Sequence, residues 1–146
     1  MRTVTSCGIL LLREAPALEF LLLKHRNRLD LPKGHLEPGE TELACALREL
    51  EEETAVTSAQ VELMPDFRFT TSYQTPYRRF GGEVVEKKLI VFLALAKTEI
   101  EVKPREHGGF VWLPWNPPHR IQPETVDPLL AAVETWRPTN QLKQSD

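Results

Sequence analysis

The stretch that constrains this chain most runs from Gly34 to Val56, GHLEPGETELACALRELEEETAV. It opens on a turn rich in glycine and proline, Leu31-Pro32-Lys33-Gly34 and then Glu37-Pro38-Gly39-Glu40, and passes into a segment of helical periodicity. Leu43, Leu47 and Leu50 recur at spacings of four and three, which puts them on one helix face. Thr41 is the candidate N-cap, and Glu42 suits the positive end of the helix dipole. Glu49, Glu52 and Glu53 also recur at three and four, on a different face close to opposite the leucines. Carboxylates gathered this way repel one another and weaken a helix. A solvated acidic face is the commonest explanation of a charge run, but such a face normally interleaves lysines. Here Arg48 is the cation at hand, within reach of Glu52 one turn on. Convergent carboxylates with too little positive charge offer what a hard divalent cation takes: oxygen donors and negative charge.

The rest of the composition is that of a folded enzyme. A chain of 146 residues fits one domain with an adequate core. We expect that domain over 1–137, with a loose polar tail over 138–146. Hydrophobic content of 41% and charged content of 27% are ordinary for a globular protein. A net charge of −3 indicates no general attraction to nucleic acid or to a membrane surface. Cys7 and Cys45 lie in apolar surroundings without metal-ligand spacing and read as buried free thiols, which points to a reducing cytoplasm. No segment is long enough to span a membrane, and the apolar run over 7–12 is too short for a signal-peptide core.

In chain order, residues 4–12 and 18–24 read as two strands forming a hairpin across the Ala15-Pro16 turn. The second is apolar almost throughout, as a strand buried on both faces is. After Val56, short strands are expected over 61–63 and 67–73, the latter with one wet face. Residues 74–82 read as a loop carrying Tyr77, Arg78 and Arg79. Residues 84–96 form the longest β-rich run and the expected central strand; 101–107 is a charged loop, and 109–112 a short strand. Asp127-Pro128 reads as N-cap and first helical position. Leu129, Val133 and Trp136 mark the core stripe of a terminal helix that Pro138 is expected to stop. The pattern alone gives α/β or α+β.

The spacing of the central stretch supplies more. Gly34, five spacers, Glu40, seven spacers, Arg48-Glu49-Leu50, a spacer, Glu52-Glu53, a spacer, Ala55-Val56 resembles the Nudix box of the pyrophosphohydrolase superfamily. Every charged position of that pattern is present. Ala55 departs from it, since the family usually has glycine there. Glycine eases a left-handed cap, and alanine costs about 1 kcal/mol in that conformation. Leu31-Pro32-Lys33-Gly34-His35 resembles more narrowly the diadenosine tetraphosphate hydrolases of the superfamily, and Tyr73 lies near the position of their marker tyrosine.

The resemblance implies an α/β/α sandwich on a mixed sheet and a Mg²⁺-dependent hydrolysis of phosphoanhydrides, with Mn²⁺ as a possible substitute. It implies Glu52 and Glu53 as principal metal ligands, Glu49 as ligand or base, the Gly34 carbonyl completing the coordination, Arg48 orienting the carboxylates, and Glu40 tying down the loop. Glu106 is a further candidate base or ligand. Lys33, Arg78 and Lys88 are expected to meet phosphates, and Tyr73 and Phe110 to offer ring faces to a base; relatives often carry tyrosine where Phe110 stands and tryptophan where Leu29 stands. The implied partner is a nucleotide substrate, with no stable nucleic-acid partner, no membrane, and a monomeric state. The foremost reading is asymmetric cleavage of diadenosine tetraphosphate to ATP and AMP. Nucleoside triphosphates, capped RNA ends and inositol pyrophosphates remain open within the family. A non-catalytic nucleotide-binding module is the reading from outside it, and the complete set of box carboxylates speaks against it.

Overall fold

Strand β1 (Thr3–Arg13) is the spine of the fold. Its apolar residues run continuously because both of its faces are covered. Cys7, Ile9 and Leu11 enter one core cluster, and Leu10 and Leu12 the other. A computed structural model describes residues 1–14, 16–97, 99–105 and 108–140, with side chains to 137. Along its length β1 pairs in parallel with β6 (Glu83–Ala96), from Thr3 opposite Glu86 to Leu12 opposite Leu95. Its other edge is divided. Leu12 and Arg13 pair with β2 (Glu19–Lys24), the expected hairpin, whereas Ser6, Cys7 and Gly8 pair with β4 (Lys33–His35). Gly8 is required at that division, because a Cβ there would fall 2.5 Å from the Pro32 carbonyl oxygen. The two-residue β3 (Leu29–Asp30) and β7 (Phe110–Pro114) both pair with β2. Four consecutive residues of β2, Phe20 to Leu23, are buried, as a strand covered on both faces requires.

The described residues form a seven-stranded mixed sheet between two helices. Helix α1 (Glu42–Thr54) covers Ile9, Leu11, Ile90 and Ala94; α2 (Val126–Asn140) covers Leu10, Leu12, Val91 and Leu93. This is the expected α/β/α sandwich. Each fully buried leucine contributes about 1.5–3 kcal/mol relative to exposure, so the two clusters fix which faces the helices cover. Among the described residues no helix is long and apolar enough to cross a membrane.

Several boundaries differ from the sequence reading. Residues 61–77 form one strand, β5 (Val61–Tyr77), instead of two short strands and a loop; it pairs with β6 as far as Tyr77 opposite Glu83. A register shift between Leu63 and Arg68 contains Pro65, and the strand lies at the sheet edge, where a missing N–H is tolerated. The tip of this long hairpin is a 3₁₀ turn, Arg78–Phe80, followed by Gly81 and Gly82 at φ 64° and 84°. Helix α2 starts two residues early, at Val126 instead of Pro128. Asp127 does not cap it; its Oδ1 accepts from Ile121 N at 2.8 Å and Gln122 N at 3.2 Å, bracing the turn before. The helix also passes Pro138 and ends at Asn140, since a proline in the last turn removes only one backbone donor. Leu129 and Val133 are buried and Trp136 packs against the same cluster, as expected.

Candidate active site

Helix α1 carries most of the candidate site. Thr41 caps it, its Oγ1 accepting from Ala44 N at 3.1 Å. At the other end Ala55 takes the left-handed conformation, φ 66° and ψ 9°, and its N–H reaches Glu51 O at 2.8 Å. The cap that glycine normally eases is therefore present, formed by alanine under strain. The buried face is centred on Cys45, Ala46, Leu50 and Thr54, and Leu43 is only half-buried. This corrects the expected leucine stripe. One turn beyond Cys45, Glu49 lies at the edge of the buried face and not opposite it; its side chain is 13% exposed, against 55% for Glu52.

Arg48 organises the carboxylates. Its Nε donates to Glu40 Oε2 at 2.7 Å and its Nη2 to Glu40 Oε1 at 3.0 Å, a two-pronged pair. Its Nη1 donates to Glu49 Oε2 at 3.1 Å and Glu52 Oε1 at 3.2 Å, and Nη2 also reaches the His35 carbonyl at 3.1 Å. The Arg48 hydrogen bonds, joined by the Glu37 amide, hold the Glu40 carboxyl down to about 2. Glu49 moves the other way: burial, then the charge of Glu52, push its carboxyl up, although Arg48 opposes both. Glu53 accepts from Lys33 N at 2.8 Å.

Gly34 stands against this cluster. A Cβ at Gly34 would coincide with the Glu49 carboxylate, so glycine is needed there for space. The Gly34 carbonyl accepts from Cys45 Sγ at 3.6 Å, and burial pushes that thiol up to about 12. Cys7 and Cys45 are both free and buried, as expected. Among the described residues no three of His, Cys, Asp and Glu converge on a single point. Glu49 and Glu52 turn to Arg48, and Glu53 to the Lys33 amide. The donor set nonetheless fits a hard cation: it is all oxygen, two of its members share one guanidinium, and half-buried Glu49 is destabilised as an anion by burial and then by the charge of Glu52.

On the other side of β4 a small cleft is lined by Ser6, Lys33, Tyr73, Lys87, Lys88 and Thr125. Tyr73 pairs across the strands with Lys87, and burial, then Glu124 and Asp30, push its hydroxyl up. Lys87 follows the alternation of Leu89 and Val91 on the α2 side, whereas Lys88 follows Ile90 on the α1 side. The cation opposite Tyr73 is thus Lys87, one residue before the lysine singled out from the sequence. Burial, then the charges of Lys33 and Arg28, lower the Lys87 pKa. Lys33 Nζ lies 3.3 Å from the buried Asp30, which also faces Arg28 Nε at 3.5 Å.

The remaining candidates divide. Phe110 pairs with Leu23 and packs half-buried against the α1-side cluster, so its ring is spent partly on the core and lies on the opposite side of the sheet from Tyr73. Arg78 is exposed at the hairpin tip, while the charge of its neighbour Arg79 reaches His35. Glu106 lies outside the described residues. Asp30, His35, Tyr77 and Lys87 were not singled out as site residues. Strand alternation around Tyr73 was the signal for Lys87, but it needed the β5–β6 register; nothing local marked Asp30.

An α/β/α sandwich that seats a glycine against an arginine-bound glutamate cluster defines a class of hydrolase. The chain belongs to the Nudix family, whose domain matches residues 2–137. Among its relatives is the asymmetrical bis(5'-nucleosyl)-tetraphosphatase of Sus scrofa, 34% identical over 120 residues, covering 74% of this chain and 77% of that protein. An mRNA-decapping protein, g5R, of African swine fever virus is 38% identical over 72 residues, covering 49% of this chain and 26% of that one. Among solved structures, an Ap4A hydrolase of C. elegans in a binary complex superposes with a TM-score of 0.79 at 27% identity, covering 93% of this chain and 98% of that one.

Proposed function

We propose that this Nudix hydrolase cleaves a phosphoanhydride bond of dinucleoside polyphosphates, splitting diadenosine tetraphosphate into ATP and AMP. The observation that carries the reading is Lys33. Its backbone amide holds Glu53 at 2.8 Å, and its side chain lines the cleft that Tyr73 and Lys87 share. A carboxylate cluster and a cationic cleft therefore meet across one residue, as a reacting phosphate and its neighbours along the chain require.

Glu49, Glu52, Glu53 and the Gly34 carbonyl would hold Mg²⁺, with Mn²⁺ as a substitute. Such an ion, when bound, supplies charge compensation to the phosphate oxygens and favours ionisation of water. The protein's own groups do the rest. Arg48 keeps Glu49 and Glu52 oriented, and Glu40 keeps Arg48 in place. Glu49, raised by burial and by Glu52, is suited to take the proton of the attacking water. Lys33 and Lys87 draw in the phosphates, and the Tyr73 ring stacks on an adenine, which explains a preference for a nucleoside end. The relatives named as tetraphosphatase and Ap4A hydrolase support the substrate class.

The test is a panel of kcat/KM values with Mg²⁺. Diadenosine tetraphosphate is expected to lead over ATP, capped RNA and inorganic tetraphosphate. Preference for a simple triphosphate or for capped RNA would reassign the substrate within the family.

A further inference from the structure

Asp30 is a buried charge that neither the core nor the chemistry derived above accounts for. It closes β3 opposite Leu23, next to the fully buried Leu31, and is itself 2% exposed. Its Oδ1 accepts from Leu31 N at 2.9 Å, and its Oδ2 faces Lys33 Nζ at 3.3 Å and Arg28 Nε at 3.5 Å. A buried carboxylate–ammonium pair gives a fold little that apolar side chains of the same volume would not, because the cost of desolvating both charges offsets their attraction. The use of this pair lies in where it puts the ammonium.

Lys33 is held at three places. Its amide donates to Glu53 Oε1 at 2.8 Å. Its Cβ lies so close to β1 that a Cβ at Gly8 would come within 2.8 Å of it. From that anchored stem the side chain lines the cleft shared with Tyr73 and Lys87, and Asp30 takes hold of its head. A lysine stem is flexible, and ordering it at the moment a ligand binds weakens the grip on that ligand. An ammonium carries three donors, so pairing with Asp30 does not exhaust it. The cation is thus both held and able to meet a phosphate.

We propose that Asp30 is a positioning residue for the hydrolysis: it fixes the Lys33 ammonium at the point in the cleft where it meets a phosphate of the substrate, before the substrate arrives. The inference rests on the reading of Lys33 as a phosphate contact, and adds the group that preorganises that contact.

The test is a double-mutant cycle on kcat/KM, run with the substrate that leads the panel above. Asp30→Asn keeps size and can still accept from the Leu31 amide, but gives up the charge that faces Lys33 and Arg28. It is expected to lower kcat/KM about tenfold, the effect of one charge-assisted hydrogen bond. In a Lys33→Ala background the same substitution is expected to cost less than about twofold, because the group it acts through is gone. A comparable loss in both backgrounds means that Asp30 acts on the fold, and overturns the inference. An unchanged kcat/KM in Asp30→Asn overturns it too, as does a rise, which would make Asp30 a charge opposed to the substrate. Lys33→Ala with wild-type kcat/KM overturns the reading of Lys33 itself, and this inference with it. Should Asp30→Asn fail to fold, NMR of the free wild type decides: distinct shifts for the two Cε protons of Lys33, assigned by their loss in Lys33→Ala, are the expected sign of a pinned ammonium, and one averaged resonance overturns the positioning role.

Discussion

The carboxylate of Glu49 occupies the space in which any residue but glycine at position 34 would carry its Cβ. The glycine that opens the box and a glutamate of its helix are therefore one fitted pair, and the carbonyl of that glycine accepts from the Cys45 thiol. Gly34→Ala keeps the carbonyl yet drives a methyl group into Glu49. We expect kcat to fall about a hundredfold, as for a displacement near 1 Å at reacting groups, and stability to fall by about 1–3 kcal/mol from overpacking. Steady-state kinetics and thermal unfolding check both; wild-type rates would sink the pairing.

Glu52 is the most exposed of the three glutamates, so its role in chemistry separates cleanly from stability. Glu52→Gln preserves size and removes charge. Its hydrogen bonds to Arg48 at 3.2 and 3.3 Å are half in solvent and contribute at most about 1 kcal/mol. A loss of about two orders of magnitude in kcat is expected, with little change in the melting temperature. Near-normal turnover at saturating Mg²⁺ would remove Glu52 from the ligand set.

Ala55 carries the strain of a left-handed cap. Replacing it by glycine relieves about 1–2 kcal/mol in the folded state and adds about 0.4–1 kcal/mol of unfolded-state entropy. The net expectation for Ala55→Gly is a gain of about 0.5–1 kcal/mol. It is read as a rise of a few degrees in the melting temperature with activity unchanged. A lower melting temperature contradicts the account of the cap.

Glu40 sets the acid limb of stability. Its carboxyl is held at about 2 in the folded protein, against an ordinary 4.5. A lowered carboxylate stabilises the fold above the ordinary value, and that contribution is lost as the pH falls from 4.5 toward 2. Glu40→Gln is therefore expected to be less stable than the wild type at neutral pH, with the difference shrinking over that interval. Chemical denaturation at several pH values reads it directly; a constant difference would show that the carboxylate's charge is not involved.

Much of the fold was legible because its signals are local. Helix α1 has its cap at Thr41, β2 its unbroken apolar run, and α2 its stripe at Leu129 and Val133. What escaped depends on partners distant in sequence. Residues 74–77 look like a loop until β6 lies beside them, and the buried face of α1 turns toward Cys45 and Ala46 because β1 presents Cys7 and Ile9 there. The same holds for the site. The box placed Arg48, Glu49, Glu52 and Glu53 by spacing alone. Which of the two cleft lysines, Lys87 or Lys88, stands opposite Tyr73, and the packing of Phe110 against the core, are set by strand faces that a single sequence does not fix.

The central claim is that the cleft directs attack to one end of a four-phosphate chain. Chromatography of the products from diadenosine tetraphosphate and Mg²⁺, sampled over the first tenth or so of turnover, tests it most directly. Equimolar ATP and AMP is the predicted result; two molecules of ADP, or no turnover while simple triphosphates are consumed, would contradict it.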